Sequence, residues 1–306
     1  MNWFEENPAP KNAEVIQSQV EAFCTLHHQR NRIILVTSGG TTIPFEKNTV
    51  RFIDNFSQGT RGSASTEYFL QHDQDIAVIF LYRSTTLRPF TRHFAHTNFL
   101  EMLQISDSQD ARQLQVIPKH APQVLHIWQA YQQVKYNNRL LEVAFTTLTD
   151  YLWYLKIICQ QLKPLGPQAL LYLAAAVSDF YIPRQDMAEH KLQSSEGAPT
   201  VQLKMVPKML APLVKDWVPQ AFVVSFKLET DESILLSKAH KALQTYRHRI
   251  VVANLLHSRK ERVILVETEK EDLILMSSEE LSQGKEIEEK ITHCLLAKFK
   301  RYECNN

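Results

Sequence analysis

The glycines of this sequence are concentrated in one stretch that could bind an anion. The 306-residue chain has seven glycines, and four of them, Gly39, Gly40, Gly59 and Gly62, lie in VTSGGTTIPFEKNTVRFIDNFSQGTRG, residues 36–62. Glycine is favoured where the backbone needs a positive φ or where another group approaches the main chain closely. The second cluster precedes a helical pattern, so backbone N–H groups and a helix dipole would together suit a phosphate or carboxylate. Alternatively, Gly59 and Gly62 only permit a tight turn and close helix packing.

Common nucleotide motifs are absent from the sequence. GGTTIP is not the GxGxxG dinucleotide fingerprint, and no GxxxxGK[ST] loop occurs, which argues against a P-loop kinase or an ordinary dehydrogenase. The chain has 34 Lys and Arg against 33 Asp and Glu, a net charge of +1. No global field therefore favours nucleic acid or an anionic membrane, and any anion must be bound locally.

Cysteine and histidine patterns give no metal or redox motif. The cysteines, Cys24, Cys159, Cys294 and Cys304, form no CxxC pair, and no HExxH occurs. No apolar run approaches the ~20 residues of a membrane span, and the N-terminus has no apolar signal segment. We therefore expect a reduced, cytoplasmic protein without a dedicated metal site, a nucleic-acid partner or a membrane partner.

Short apolar runs alternate with helical patterns, which predicts a mostly parallel α/β sheet flanked by helices. The predicted strands are RIILVTS, DIAVIFLYR, ALLYLAAAVSDF, AFVVSFK and RIVVANLL, and RVILVE with DLILMS predicts a hairpin. Helices are expected at about 232–246 and in the terminal EIEEKITHCLLAKF. We expect one domain over 1–306, with a helical N-terminal arm at 1–30, a helical insertion at about 95–168, and a flap or hairpin in EHKLQSSEGAPTVQLKMVPKML.

Two aspartates follow predicted strands. Ser178 and Asp179 end the ALLYLAAAVSDF run, and loops at the carboxyl ends of parallel strands are where ligands collect. Asp179 could also cap a turn there. Asp231 stands where a helix N-cap is expected. We assign neither a catalytic role.

The longer motifs, taken in order, resemble those of phosphopantothenoylcysteine synthetase, the ligase of coenzyme A biosynthesis. They are the glycine stretch, YLAAAVSDFYIP, HKLQS, VPKML, VSFKLETD and ANLL, from about residue 33 to 257. Resemblance to the eukaryotic, monofunctional form implies a Rossmann-like fold, commonly as a homodimer. It also implies joining of 4′-phosphopantothenate to L-cysteine through an acyl nucleotidylate, with ATP cleaved to AMP and pyrophosphate and Mg²⁺ accompanying the ATP. CTP is the alternative nucleotide.

The resemblance also implies roles for particular residues. It implies nucleotide contacts at Gly39, Ser57, Gly59, Gly62, Phe226 and Asn254. It implies substrate contacts at Asn55, Ala175, Ala176 and Lys208, and at Arg51 lent by a neighbouring subunit. Asn55 and Lys191, the latter on the flap, are the catalytic candidates. Where bacterial relatives commonly carry lysine, this chain has Thr60 and Arg61, so charge at the nucleotide could be supplied differently.

Each residue type also has a purely structural alternative. Phe226 could belong to the core, Asn55 could form a turn, and Lys191 could be a solvated loop residue. A Rossmann oxidoreductase is opposed by the missing fingerprint. A scaffold protein that has lost the chemistry is opposed by the presence of Asn55 and Lys191.

Overall fold

A computed structural model describes residues 3–28, 32–95, 97–108, 111–193, 195 and 197–306. Residues 1–2 and 29–30 of the expected N-terminal arm lie outside the described residues. The same holds for positions 96 and 109–110 of the expected insertion and for positions 194 and 196 of the expected flap.

Strands and helices alternate along most of the chain. The strands are β1 Arg32–Ser38, β2 Thr42–Pro44, β3 Phe52–Asp54, β4 Ile76–Arg83, β5 Leu103–Ser108, β6 Ala111–Val116, β7 Leu140–Phe145, β8 Ala169–Leu173, β9 Phe180–Tyr181, β10 Lys204–Met205, β11 Phe222–Glu229, β12 Ile250–Leu255, β13 Arg262–Val266 and β14 Glu271–Leu275. The α-helices are α1 Trp3–Glu6, α2 Ala13–His27, α3 Thr60–His72, α4 Ala121–Tyr136, α5 Leu148–Leu162, α6 Leu210–Pro212, α7 Glu232–Tyr246, α8 Ser278–Ser282 and α9 Ile287–Cys304.

The main sheet has eight strands in the order β14-β13-β12-β11-β8-β1-β4-β7. From β7 to β12 neighbouring strands run parallel, and β13 and β14 add an antiparallel hairpin. The chain moves outward from β1 through β4 to β7, then returns to the other side of β1 with β8. This reversal is the switch point at which ligands bind in Rossmann-like sheets. The predicted α/β fold with a mostly parallel sheet is confirmed, as is the terminal hairpin.

Both faces of the sheet are buried. Side chains alternate along β1, so Ile33 and Leu35 pack with α2 and α5, whereas Ile34 and Val36 pack with α3 and α9. A strand covered on both faces reads as a continuous apolar run, which is why RIILVTS was recognisable. The helix α7 covers a third, smaller cluster with β12.

The expected helical insertion contains more strand than its sequence indicated. Within 95–168 the chain forms the β5–β6 hairpin, α4, the outer strand β7 and α5. The strand β7 was missed because it lies at the edge of the sheet: its LLEVAF sequence is only partly buried, and Glu142 faces out to pair with Arg88. The alternation of buried and exposed residues in these six positions is therefore too short to be distinguished from a helical pattern.

The N-terminal arm and the flap also have defined structures. The arm is two helices, α1 and α2, and it packs on the body of the protein through Val20 and Phe23. Within the flap, β10 pairs in a short antiparallel ladder with β9, which precedes the flap in sequence. Among the described residues, no helix is both long and apolar enough to cross a membrane.

Candidate functional site

The loops after β1 and β8 are joined by backbone hydrogen bonds at the switch point. The carbonyl oxygen of Gly39 accepts from the N–H of Ala176 at 2.8 Å, and the N–H of Thr41 donates to the Ala176 carbonyl at 3.2 Å. The N–H of Asn55 then donates to the Thr41 carbonyl at 3.1 Å. Ala175 donates its N–H to the Thr37 hydroxyl at 3.1 Å. The structure thus brings together Gly39, Asn55, Ala175 and Ala176, which come from three separate stretches of the sequence.

Gly40 allows this junction to form. A Cβ added at Gly40 would lie 1.7 Å from the carbonyl oxygen of Asn55, a backbone atom that cannot rotate aside. Asn55 directly follows β3, which pairs with β2 in a short hairpin. The Asn55 backbone can therefore lie here only because Gly40 has no side chain.

The second glycine cluster forms the start of α3. Gly59 is the N-cap, with a left-handed φ of 77°, and no side chain accepts a hydrogen bond from the first turn. A Cβ on Gly62 would lie 2.5 Å from the Cβ and Oγ of Ser38, at the end of β1. The Ser57 hydroxyl accepts from the Gly59 N–H at 3.4 Å. Gly59 is therefore required by the turn and Gly62 by the close packing of α3 on β1. With glycine as the N-cap, the N–H groups of the first turn have no side-chain cap.

Asn254 lies at the carboxyl end of β12 and is held on both sides. Its Nδ2 donates to the Lys227 carbonyl at 2.6 Å, and its Oδ1 accepts from Arg61 at 3.4 Å. Arg61 also pairs with Glu288 at 2.8 Å. Burial raises the pKa of the Glu288 carboxyl, and Arg61 opposes that rise. Arg61 thus links the start of α3 to the β12 end of the site, a connection that the sequence did not reveal.

Phe226 and Lys208 line a cleft of about 230 Å³ at the carboxyl ends of β8 and β11. Phe226 is half-buried, and its ring contacts Tyr172 edge to face at 4.8 Å. Lys208 pairs with Asp179 at 2.7 Å, and this hydrogen bond raises the pKa of Lys208. The idea that Asp179 caps a turn is wrong: the turn is closed by the hydroxyl of Ser178. Asp231 is confirmed as the N-cap of α7.

The flap lies against the loop between β2 and β3. The Lys47 N–H donates to the Ala188 carbonyl at 2.9 Å, and the Lys47 ammonium pairs with Glu189. Arg51 reaches the Leu192 carbonyl at 3.1 Å and the buried carboxylate of Glu46 at 3.1 Å. Lys191, next to Leu192, is exposed, and no ion pair among the described residues includes its ammonium.

Glu46 anchors this loop. Its Oε2 accepts from the N–H groups of Val50 and Arg51 at 3.1 and 2.9 Å, while its Oε1 accepts from the Arg51 guanidinium. The Arg51 backbone N–H is the largest cause that holds the pKa of Glu46 at about 2. Its side chain is fully buried, yet its charge is matched by donors.

Arg83 is a site residue that the sequence analysis missed. It ends β4, is buried, and bonds the Asp54 carboxylate and the Gly40 carbonyl, the latter at 3.5 Å. Its Nε has no partner among the described residues. The sequence did contain one signal, the arginine at the end of the apolar run IAVIFLYR. Such a run predicts a buried strand, and an arginine buried at its end needs a partner of opposite charge.

The fold is that of an α/β protein with a mostly parallel sheet, and a family model from pantothenate metabolism matches part of it. Residues 159–301 match the family model described as the DNA/pantothenate metabolism flavoprotein C-terminal domain. This match covers the strands β8 and β11 to β14, which form one side of the site.

Full-length relatives give the narrower family. The chain is 45% identical to human (Homo sapiens) phosphopantothenate–cysteine ligase over 94% of this chain and 92% of the relative. It is 44% identical to the mouse (Mus musculus) enzyme over 100% of this chain and 98% of the relative. A solved structure of a Cab2 mutant in complex with phosphopantothenate-cysteine matches with a TM-score of 0.88 and 40% identity, over 99% of this chain and 98% of that one. The chain therefore belongs to the phosphopantothenate–cysteine ligase family, and it is a ligase.

Replacing Gly40 with alanine should disrupt the site far more than a glycine change in open space. In Gly40→Ala the new methyl group meets the Asn55 carbonyl, so we expect the free energy of unfolding to fall by about 3 kcal/mol. Gly284→Ala is the matched control: Gly284 has φ +71° with no atom within 4 Å of the added Cβ, so only backbone strain of about 1 to 2 kcal/mol should appear. Urea unfolding of both variants checks this, and equal losses would contradict the steric argument.

Glu46 should make stability depend on pH in the acid range. Its folded pKa of about 2 lies below the ordinary value of 4.5 for a glutamate, so the unfolded chain binds the proton more readily. This contribution is complete above about 4.5 and is lost as the pH falls towards 2. We expect Glu46→Gln to lower stability near neutral pH and to approach the wild type as the pH falls through this window. Urea midpoints from pH 6 to about 3 measure this; Glu21→Gln, an exposed change on α2, should run parallel to the wild type. A constant gap between wild type and Glu46→Gln would refute the linkage.

Proposed function

We propose that the protein joins 4′-phosphopantothenate to L-cysteine in coenzyme A biosynthesis, with ATP cleaved to AMP and pyrophosphate. A carboxylate is a poor acyl electrophile, so the nucleotide first converts it to an acyl adenylate. The cysteine amine then attacks the acyl carbon and AMP leaves. Family membership supports the overall ligation, and the observation that carries the site is the backbone junction that unites Gly39, Asn55 and Ala176 beside the start of α3.

The nucleotide would lie along the carboxyl edge from α3 to β12. The uncapped first turn of α3 supplies N–H donors and a partial positive charge for phosphate groups. Gly39, Ser57, Gly59 and Gly62 surround this end. Phe226 and Asn254 would meet the base and sugar end. Arg61 supports this arrangement, because it ties α3 to Asn254 and adds a cation beside the phosphates.

The pantothenate carboxylate would lie at the junction itself. The side-chain amide of Asn55 can donate to an acyl or phosphoryl oxygen without adding a charge. The small side chains of Ala175 and Ala176 leave room for the chain of the substrate. Holding both reactants at one junction converts a two-molecule encounter into a step within one complex.

The two lysines would serve the anionic groups. Lys191 is exposed and unpaired among the described ion pairs, so its ammonium can turn towards the triphosphate or the developing acyl phosphate charge. Lys208 lines the cleft beside Ala175, although Asp179 already neutralises it in part.

Mg²⁺ would accompany ATP as part of the substrate. Among the described residues, no group of three or more His, Cys, Asp or Glu side chains is arranged to hold a metal ion. No step proposed above depends on the ion. We also propose a cytoplasmic setting, which is supported by the four cysteines, all free thiols in the described residues.

Product analysis is the direct test of the mechanism. With ATP, 4′-phosphopantothenate and cysteine, we expect AMP and pyrophosphate in equal amounts with the amide, and no pyrophosphate exchange without 4′-phosphopantothenate. The similarity to eukaryotic relatives supports ATP, and a parallel assay with CTP decides the preference. If ADP and phosphate are the products instead, the intermediate is an acyl phosphate and the proposed adenylate is wrong.

Lys191→Ala should give the same products with a large loss of kcat and an unchanged melting temperature, while Lys204→Ala, a flap control, should stay active.

Arg51 would act from a neighbouring subunit in a homodimer. In the present structure its guanidinium is occupied within its own chain by Glu46 and the Leu192 carbonyl. It is nevertheless 42% exposed, so part of the guanidinium can meet a second ligand. A guanidinium shared between Glu46 and a substrate phosphate would keep the bidentate geometry that suits phosphate.

Mixed dimers test whether the site is shared. If Arg51 completes the partner's site, a dimer of one Arg51→Ala chain and one Asn55→Ala chain contains one site with both residues intact. Such doubly tagged dimers should recover up to about half of wild-type activity per dimer, whereas each mutant homodimer stays inactive. No recovery in a verified mixed dimer would assign Arg51 to its own chain, where it fastens the flap.

A further inference from the structure

A large groove lies at the opposite edge of the sheet from the candidate site. It has a volume of about 730 Å³ and is bounded by the segment before β12, the turn between β13 and β14, and the end of α9. Residues 247–249 directly precede β12, so the groove is at the amino end of the strand whose carboxyl end carries Asn254. It is therefore separate from the site proposed for ATP.

The groove is strongly basic although the whole chain is almost neutral. Its lining includes five Lys and Arg residues against two Glu residues. Both lysines are neutralised, Lys298 by Glu267 and Asp272 and Lys270 by Asp272. By contrast, no ion pair among the described residues includes Arg247 or Arg301, and the Arg301 Nε reaches only the carbonyl of Ala297 in its own helix. Cations thus remain available for an anionic ligand.

One arginine of the groove is held in a fixed orientation. The Arg249 guanidinium lies 4.4 Å from the centroid of the Tyr302 ring and donates to the Tyr302 hydroxyl at 3.2 Å. Tyr302 in turn donates to the Gln220 carbonyl at 2.9 Å, which anchors the ring. Arg249 therefore loses little further freedom when it binds a ligand, which favours affinity.

The neighbouring backbone has an unusual conformation. Arg247 ends α7 with a φ of 55°, in the left-handed region where glycine or asparagine is usual. A long charged side chain at such a position is strained compared with glycine, and it projects into the groove from a defined backbone.

A buried histidine at the groove has an unused polar atom. His248 is 5% exposed, and its Nε2 lies 2.7 Å from the Ser225 hydroxyl. Its Nδ1 is buried and has no partner among the described residues. Burial lowers the pKa of His248 to about 4, so the ring is neutral at pH 7. When Ser225 donates to Nε2, the Nδ1 carries a hydrogen that can be donated to an anion.

We propose that this groove is a second anion-binding site, which takes the phosphate groups of a nucleotide-sized polyphosphate. Arg247, Arg249 and Arg301 supply the charge, and His248, whose Nδ1 has no partner among the described residues, lines the groove beside them. The groove and Asn254 lie at opposite ends of the same strand, β12. Binding to the groove can therefore be tested separately from the ligase reaction.

The test is calorimetric titration of the full chain with inorganic tripolyphosphate. We expect a binding process at the groove, besides any binding at the carboxyl edge, that Arg249→Gln combined with Arg301→Gln weakens by at least about tenfold, because charge-assisted hydrogen bonds are lost. Arg247→Asn alone should also weaken binding at the groove by about tenfold, and asparagine tolerates the positive φ of this position. This variant keeps the test valid if the double variant does not fold. Arg112→Gln removes an exposed arginine on the β5–β6 hairpin and should change nothing.

A further variant distinguishes binding at the groove from binding at the proposed nucleotide site. Arg61→Gln alters the carboxyl edge and should leave the groove process intact. The proposal is overturned if the wild type shows no binding at millimolar tripolyphosphate, or if folded groove variants bind as tightly as the wild type. It is also overturned if Arg61→Gln alone abolishes the binding, since the ligand would then occupy the carboxyl edge.

Discussion

The site depends on a contact that only a missing side chain permits, the approach of the Asn55 carbonyl to Gly40. This contact lets the β2–β3 hairpin fold back over the loop after β1, where Thr41 accepts from the Asn55 N–H. Hydrogen bonds from the same loop to Ala176 join it to the loop after β8. The chain leaves β1 towards one side of the sheet and leaves β8 towards the other. The loops after these two strands are thereby joined at the switch point. A ligand bound there would contact backbone whose position is set by this steric constraint.

Buried charges fix this hairpin from two sides. Arg83 reaches it through Asp54 at one end, and Glu46 holds the loop through Arg51 and two backbone N–H groups at the other. A buried charge is expensive to leave unpaired, so losing either partner should cost more than the pair contributes. The flap is attached differently: the ion pair of Lys47 with Glu189 is exposed, and such pairs stabilise little. The structure thus combines a hairpin held by buried charges with a flap held by surface contacts, among them the hydrogen bond from the Lys47 N–H to the Ala188 carbonyl.

The sequence predicted what depends on local pattern. Buried parallel strands such as β1 read as apolar runs, the N-cap Asp231 marked the start of α7, and the motif order indicated the family. The edge strand β7 was missed because it is half exposed, and Arg83 was missed because its partner Asp54 is 29 residues away in sequence. The role of Asp179 was left open for the same reason, since its partner Lys208 comes from the far side of the flap. Pairings across the fold have no periodic signal, so one sequence does not reveal them.

The structure also changes how the glycine clusters should be understood. Packing alone accounts for Gly62, because Ser38 occupies the space of a side chain, and the left-handed φ accounts for Gly59. These reasons do not compete with phosphate binding. A side-chain cap at Gly59 would accept from the first turn of α3 and so occupy the N–H groups that an anion needs. Close packing of α3 on Ser38 also directs that turn to the carboxyl edge of β1. The residues that solve the packing problem therefore leave the donors of the helix start open to an anion.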